Sequence, residues 1–120
     1  MEQIVLTRSD EAIAQPQPWG ELIWHAGQAL NNSAEMTVGR CILNPGQANP
    51  PHSHPNCSEI LVVQEGHIMH TFNNGEDVEM KPGDAITIPP GVRHNARNIG
   101  SGRAELIVVF SSADRQTRGE

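Results

Sequence analysis

The chain contains no tyrosine and only one lysine, two phenylalanines, two tryptophans and two cysteines. Without tyrosine, no phenol can act as a general acid or an oxyanion donor. The lone lysine, Lys81, sits in the turn sequence Lys81-Pro82-Gly83-Asp84, a poor setting for the desolvated amine that Schiff-base chemistry needs. Aromatic residues make up 3% of the chain, leaving few platforms on which nucleic-acid bases could stack. A net charge of −6 opposes the phosphate neutralisation that supplies most nucleic-acid affinity. No Gly-rich phosphate loop of the nucleotide-binding kinds is present, which sets aside those cofactors. The longest apolar runs, at 60–63 and 106–110, are strand-length and far below the ~20 residues of a membrane span. The start, MEQIVLTRSDE, lacks a basic segment followed by a long apolar one, so neither a secretory leader nor a membrane partner is expected and the cytoplasm is the expected compartment. Cys41 and Cys57 show no C-x-x-C spacing and are expected as reduced thiols rather than a disulfide.

Turn signals, by contrast, are dense. With 11 glycines and 9 prolines among 120 residues, the chain suits one domain with one core. Residues 7–18 are polar and carry two prolines, which reads as a loop or short helical turn with an extended exit. Strand-like segments follow at 20–25, 34–43, 59–64, 67–72, 77–80, 85–88, 94–98 and 103–111. They are separated by Asn-Pro-Gly, Glu-Gly, Asn-Gly, Lys-Pro-Gly-Asp and Pro-Pro-Gly corners. Many short strands and no long helix predict an all-β sandwich or barrel. The expected organisation is an N-terminal arm with the first strands over 1–33, a barrel over 34–111 and a polar tail over 112–120 with nothing to bury.

Histidines His52 and His54 lie two apart after Pro50-Pro51. Residues two apart on an extended segment point the same way, and the prolines favour that conformation. Glu59 opens the strand EILVV in phase with Leu61 and Val63. If those two face the core, a carboxylate at its rim must be paired or coordinated. The Pro89-Pro90-Gly91 corner then delivers His94 to the start of another strand. Three imidazoles and one carboxylate suit a divalent transition metal (Fe, Mn, Co, Ni, Cu or Zn) and not Mg or Ca, which prefer oxygen shells. The bland alternative is a polar loop with imidazoles facing water.

From Gly46 to Gly66 the chain reads G-QANPP-H-S-H-PNCS-E-ILVVQE-G, and from Gly83 to Asn98 G-DAITI-P-P-G-VR-H-NAR-N. These stretches resemble both signature motifs of the cupin superfamily, in the right order and with 16 residues between them. The resemblance implies a single-domain jelly-roll barrel, or double-stranded β-helix, holding one metal on His52, His54, Glu59 and His94. It implies turn roles for Gly46, Gly66, Gly83 and Gly91 and a structural hydrogen-bonding role for Asn98. A homodimer is implied as well, through packed sheets or exchanged N-terminal strands.

Four protein ligands on a six-coordinate metal would leave two positions for substrate, water or dioxygen. His70 shares a strand face with Ile68 and Phe72, so it is expected inside the barrel as the catalytic general base, or else as a packed histidine. Arg40 could clamp a substrate carboxylate, or pair with an acid on the outer face. His67 is expected at the surface, His25 in a packing or surface role, and Cys57 as a small packed residue or else a redox-sensitive thiol. Two functional readings remain. One is a metal-dependent enzyme acting on a small sugar, sugar acid or other carboxylate by isomerase, lyase or dioxygenase chemistry. The other is a non-catalytic, metal-assisted small-molecule sensor or carrier.

Overall fold

A computed structural model describes residues 3–73 and 75–119. Nine antiparallel strands form two sheets: β1 (Ile13–Gln17), β2 (Gly20–Ala26), β3 (Thr37–Leu43), β4 (Glu59–Glu65), β5 (Ile68–Phe72), β6 (Glu76–Met80), β7 (Ala85–Ile88), β8 (His94–Asn98) and β9 (Ala104–Phe110). The larger sheet has the order β1-β2-β3-β9-β4-β7, and the smaller β6-β5-β8. One-turn 3₁₀ helices at Ser9–Glu11 and Gln28–Leu30 are the only helices among the described residues. The fold is the all-β jelly roll expected from the turn-punctuated sequence. No helix among the described residues is long and apolar enough to cross a membrane.

Period-two burial shows why these segments are strands. In β9, Ala104, Leu106, Val108 and Phe110 are buried while the residues between them are half-buried. In β4, Glu59, Leu61 and Val63 share the inner face. Leu43, Val63, Ile68, Ala104 and Leu106 make the dry centre of the core. The four motif glycines all have positive φ, as turn residues should. At Gly66 (φ +95°) a side chain would also fail sterically, since a Cβ would lie 2.7 Å from Ala104 Cα. Asn98 is buried and its amide donates to the carbonyls of Leu43 (2.9 Å) and Gly102 (2.8 Å), while its Oδ1 accepts from Gly100 N–H.

Segment 7–18 takes the form of a short helical turn with an extended exit, as the 3₁₀ turn Ser9–Glu11 and then β1; β1 is an edge strand, where Pro16 can be accommodated. The Asn-Gly corner of the β5–β6 hairpin includes Asn74, which lies outside the described residues. The largest departure from the sequence reading is residues 112–119, read as a tail with nothing to bury. They are strapped along the barrel by a run of hydrogen bonds. Gln28 N–H donates to Ala113 O, Thr37 Oγ1 to Ser112 O and Asn56 Nδ2 to Asp114 O. Ser53 and Arg118 exchange a pair of backbone bonds at 2.9 Å, and Arg93 Nη1 donates to Gly119 O. Polar bonds hold this strap, so hydrophobic patterning carries no sign of it.

Candidate metal centre

His52 and His54 project from the long connection between β3 and β4. That connection is laced to β8, with His52 and His94 exchanging backbone bonds of 2.9 and 2.8 Å. Gly91 N–H donates to His54 O, tying the second motif's corner to the first motif's histidine. Glu59 begins β4 opposite both Ile88 and Phe110, and His94 begins β8 opposite Phe72. Two sheets and a loop thereby bring one ligand atom each from His52, His54, Glu59 and His94 to within 4.8 Å of one another. The three rings sit 4.5–5.5 Å apart, centre to centre.

Proton placement fixes what these groups offer. His52 Nδ1–H donates to Pro50 O (2.7 Å) and His54 Nδ1–H to Gln116 O (2.9 Å). A carbonyl only accepts, so both rings carry their proton on Nδ1 and a lone pair on Nε2. His94 Nδ1 faces His70 Nε2 at 3.4 Å, which leaves His94 Nε2 toward Glu59 Oε1. That oxygen is 3.3 Å from both His54 Nε2 and His94 Nε2. His54 Nε2, Glu59 Oε1 and His94 Nε2 are buried without a hydrogen-bond partner. Unpartnered polar atoms in a core cost about 1–3 kcal/mol each, and clustered lone pairs repel. A divalent cation removes both penalties, and the imidazole-carboxylate set matches a transition metal. The His94 pKa is pushed down to about 2, first by burial and then by His52, His70 and His54. It is therefore held neutral, as a ligand must be.

The centre opens onto a cavity of about 360 Å³. Trp19, Leu22, Trp24, Leu61, Val108 and Phe110 give it apolar walls, and His70 and Asn49 also line it. His70 is fully buried on the inner face of β5 with Ile68, in the phase that alternation predicts. Its ring stacks on His94, with centroids 5.3 Å apart and planes 23° apart. Burial lowers its pKa, and its Nδ1 has no partner.

Arg40 does not reach this cavity. It lies on the other face of β3 from Cys41, which does line the cavity. There its Nε–H donates to His25 Nε2 (2.9 Å), and Nη1 lies 3.5 Å from Glu105. The carboxylate-clamp expectation is thus replaced by the outer-face ion pair. His25 loses basicity through partial burial and the neighbouring Arg40. His67 is half-exposed and bonded to Glu79. Cys41 and Cys57 are buried free thiols.

Sequence reasoning missed the strap's part in the site. Gln116 supplies the carbonyl that orients His54, and Arg115 and Thr117 line the cavity. The Arg115 guanidinium lies 4.1 Å above the Trp24 ring and 5.2 Å from the Phe110 ring. Burial lowers its pKa, while Glu59 and Cys57 raise it. Arg115 and Arg118 in a polar stretch form no motif, so no spacing signal could have marked Arg115.

Two antiparallel sheets around a cavity that gathers three imidazoles and a carboxylate define a jelly-roll protein with a candidate metal centre. The chain belongs to the cupin domain family, whose sequence model matches residues 39–110. It is 32% identical over 85 residues to germin-like protein 1-2 of Oryza sativa subsp. japonica; the match covers 68% of this chain and 38% of that protein. The chain therefore spans well under half the length of the curated relatives it matches. An oxalate oxidase structure in complex with the substrate analogue glycolate superposes with a TM-score of 0.74 at 25% identity, covering 81% of this chain and 53% of that one. A double-stranded β-helix protein from Klebsiella pneumoniae superposes with a TM-score of 0.78 at 20% identity, with 94% of each chain covered.

Proposed function

We propose that this cupin is a metal-dependent enzyme acting on a small carboxylate. The observation that carries the reading is the set of buried, unpartnered atoms on His54, Glu59 and His94 at the wall of an apolar cavity large enough for a small molecule. His52, His54, Glu59 and His94 would hold the ion. A bound transition metal would supply a Lewis acid that polarises a carboxylate or carbonyl oxygen. The similarity to an oxalate oxidase that binds glycolate supports a carboxylate substrate.

His70 enters this proposal in an altered role. A metal on His94 Nε2 requires the proton on Nδ1, and the acceptor facing it is His70 Nε2. That bond uses the only lone pair of a neutral His70, so the residue serves as the orienter of His94 rather than as a free base. This favours oxygen-dependent chemistry with little proton transfer over isomerase or lyase chemistry. The same observation supports the second reading, a metal-assisted binding protein.

Elemental analysis of purified protein should find one transition metal per chain. Incubation with oxalate, glycolate and short sugar acids, in air and under nitrogen, should show turnover of one of them with oxygen uptake. Metal present only in traces, after reconstitution at neutral pH, would sink the metal reading. Stoichiometric metal with binding but no turnover would leave the sensor or carrier.

A homodimer is proposed with it, supported by Ile4 and Leu6, which are 102% and 66% exposed. An apolar N-terminal segment of this kind is suited to an exchanged strand. Light scattering should give twice the chain mass, and deletion of residues 4–6 should yield monomer. The cytoplasm is the proposed compartment, on the strength of the two free thiols.

A further inference from the structure

We infer that Arg115, carried to the cavity by the C-terminal strap, is the residue that recognises the substrate's carboxylate. Among the described residues lining the cavity, Arg115 is the only arginine or lysine and Glu59 the only acid. One guanidinium N–H donates to Thr117 Oγ1 at 2.7 Å, and that oxygen lies 3.3 Å from His54 Nδ1. The cation is thereby two hydrogen bonds from a candidate metal ligand. No carboxylate of a described residue lies within 4.0 Å of it. A half-buried guanidinium without a contacting counter-ion is costly, and this one is offset by the Trp24 and Phe110 rings, a hydroxyl and the more distant charge of Glu59.

The charge pattern names the ligand class. A divalent ion, one carboxylate and one guanidinium leave the cavity positive, although the whole chain carries −6. The Trp24 and Phe110 rings flank the guanidinium, and its remaining N–H groups offer the planar fork that suits a carboxylate. A short dicarboxylate or hydroxycarboxylate matches both this cation and the cavity volume. The strap is the specificity element in this scheme, because the signature motifs contribute no fixed cation to the cavity.

This inference rests on the metal-carboxylate reading above, and the test separates the two. Protein loaded with Mn²⁺ is titrated calorimetrically with oxalate and, at pH 8, with the neutral metal ligand imidazole. Wild type is compared with Arg115→Met, which keeps the stem, and Arg115→Lys, which keeps the charge. The expected result is oxalate affinity about 10- to 100-fold weaker in Arg115→Met, the usual worth of a charge-assisted hydrogen bond. Arg115→Lys should fall between, with Mn²⁺ stoichiometry and imidazole affinity unchanged in both. Unchanged oxalate affinity in Arg115→Met overturns the inference alone. Equal losses of oxalate and imidazole affinity overturn it as well, because Arg115 would then only be packing the cavity wall. Wild type that takes up no Mn²⁺, or binds none of oxalate, overturns the underlying reading itself. Should Arg115→Met misfold by circular dichroism, Arg115→Lys carries the test. A weaker affinity for oxalate but not imidazole supports recognition, and no change refutes it.

Discussion

Each candidate histidine ligand is held by a hydrogen bond on the side away from the cluster, and the bonds differ in kind. His52 and His54 lean on backbone carbonyls, which no side-chain substitution can remove. His94 leans on a side chain, His70, and is therefore the one that mutation can release. His70→Leu should weaken metal binding by about 10- to 100-fold, as loss of an outer partner usually does, and His70→Gln should recover part of it. A competition titration against a fluorescent chelator checks this. If His70→Leu binds metal like wild type but loses turnover, the orienting role is wrong and the base role returns. The four candidate ligands were legible because motif spacing marks them. The side of β5 on which His70 lies was legible by alternation with Ile68, but not the nitrogen it would face. Sequence alone leaves Arg40 open between a clamp and an outer-face pair, because Gly39 and Cys41, its inner-phase neighbours, are small and only Leu43 marks that phase with a large apolar side chain.

The elements that build the barrel were legible for a different reason. Their Gly and Pro corners require backbone conformations that few other residues adopt, and β4 and β9 carry apolar side chains in period two. Leu106, fully buried in β9, should cost about 2–5 kcal/mol when truncated to Ala, measurable by urea unfolding. The strap was not legible, because Asn56, Thr37 and backbone groups hold it and its residues bury little. Removing residues 112–120 should leave the β-sheet circular dichroism signal intact. It should also lower metal affinity several-fold, because His54 loses the Gln116 carbonyl that fixes its tautomer. Full metal affinity in the truncated chain would show that His54 needs no such partner.

At the level of the whole molecule, burial of neutral imidazoles couples stability to pH. Burial lowers the pKa of both His94 and His70 in the folded chain. The unfolded chain therefore binds more protons than the folded one below about pH 6.5. Stability from these groups is present above that value and is lost as pH falls toward the folded pKa. The slope approaches about 1.4 kcal/mol per pH unit for each histidine. Thermal unfolding of metal-free protein should show a lower Tm at pH 5.5 than at pH 7.5. Metal should raise Tm at neutral pH, since it binds the folded state, and the gain should shrink on acidification because protons compete for the ligands. A Tm independent of pH over that range would mean the imidazoles are not held neutral.

The two thiols give the barrel a built-in clock. Cys41 is 3% exposed and its pKa is pushed up to about 12 by burial and then by Glu59, while burial also raises that of Cys57. Neither can meet a bulky disulfide reagent as a thiolate while the sheets are closed. Any modification must wait for the barrel to part, so its rate counts openings rather than surface collisions. Because Cys57 lies between His54 and Glu59 in sequence, labelling there times the separation of the segment that carries three of the four candidate ligands. Whatever occupies the centre should lengthen that interval in proportion to how tightly it binds.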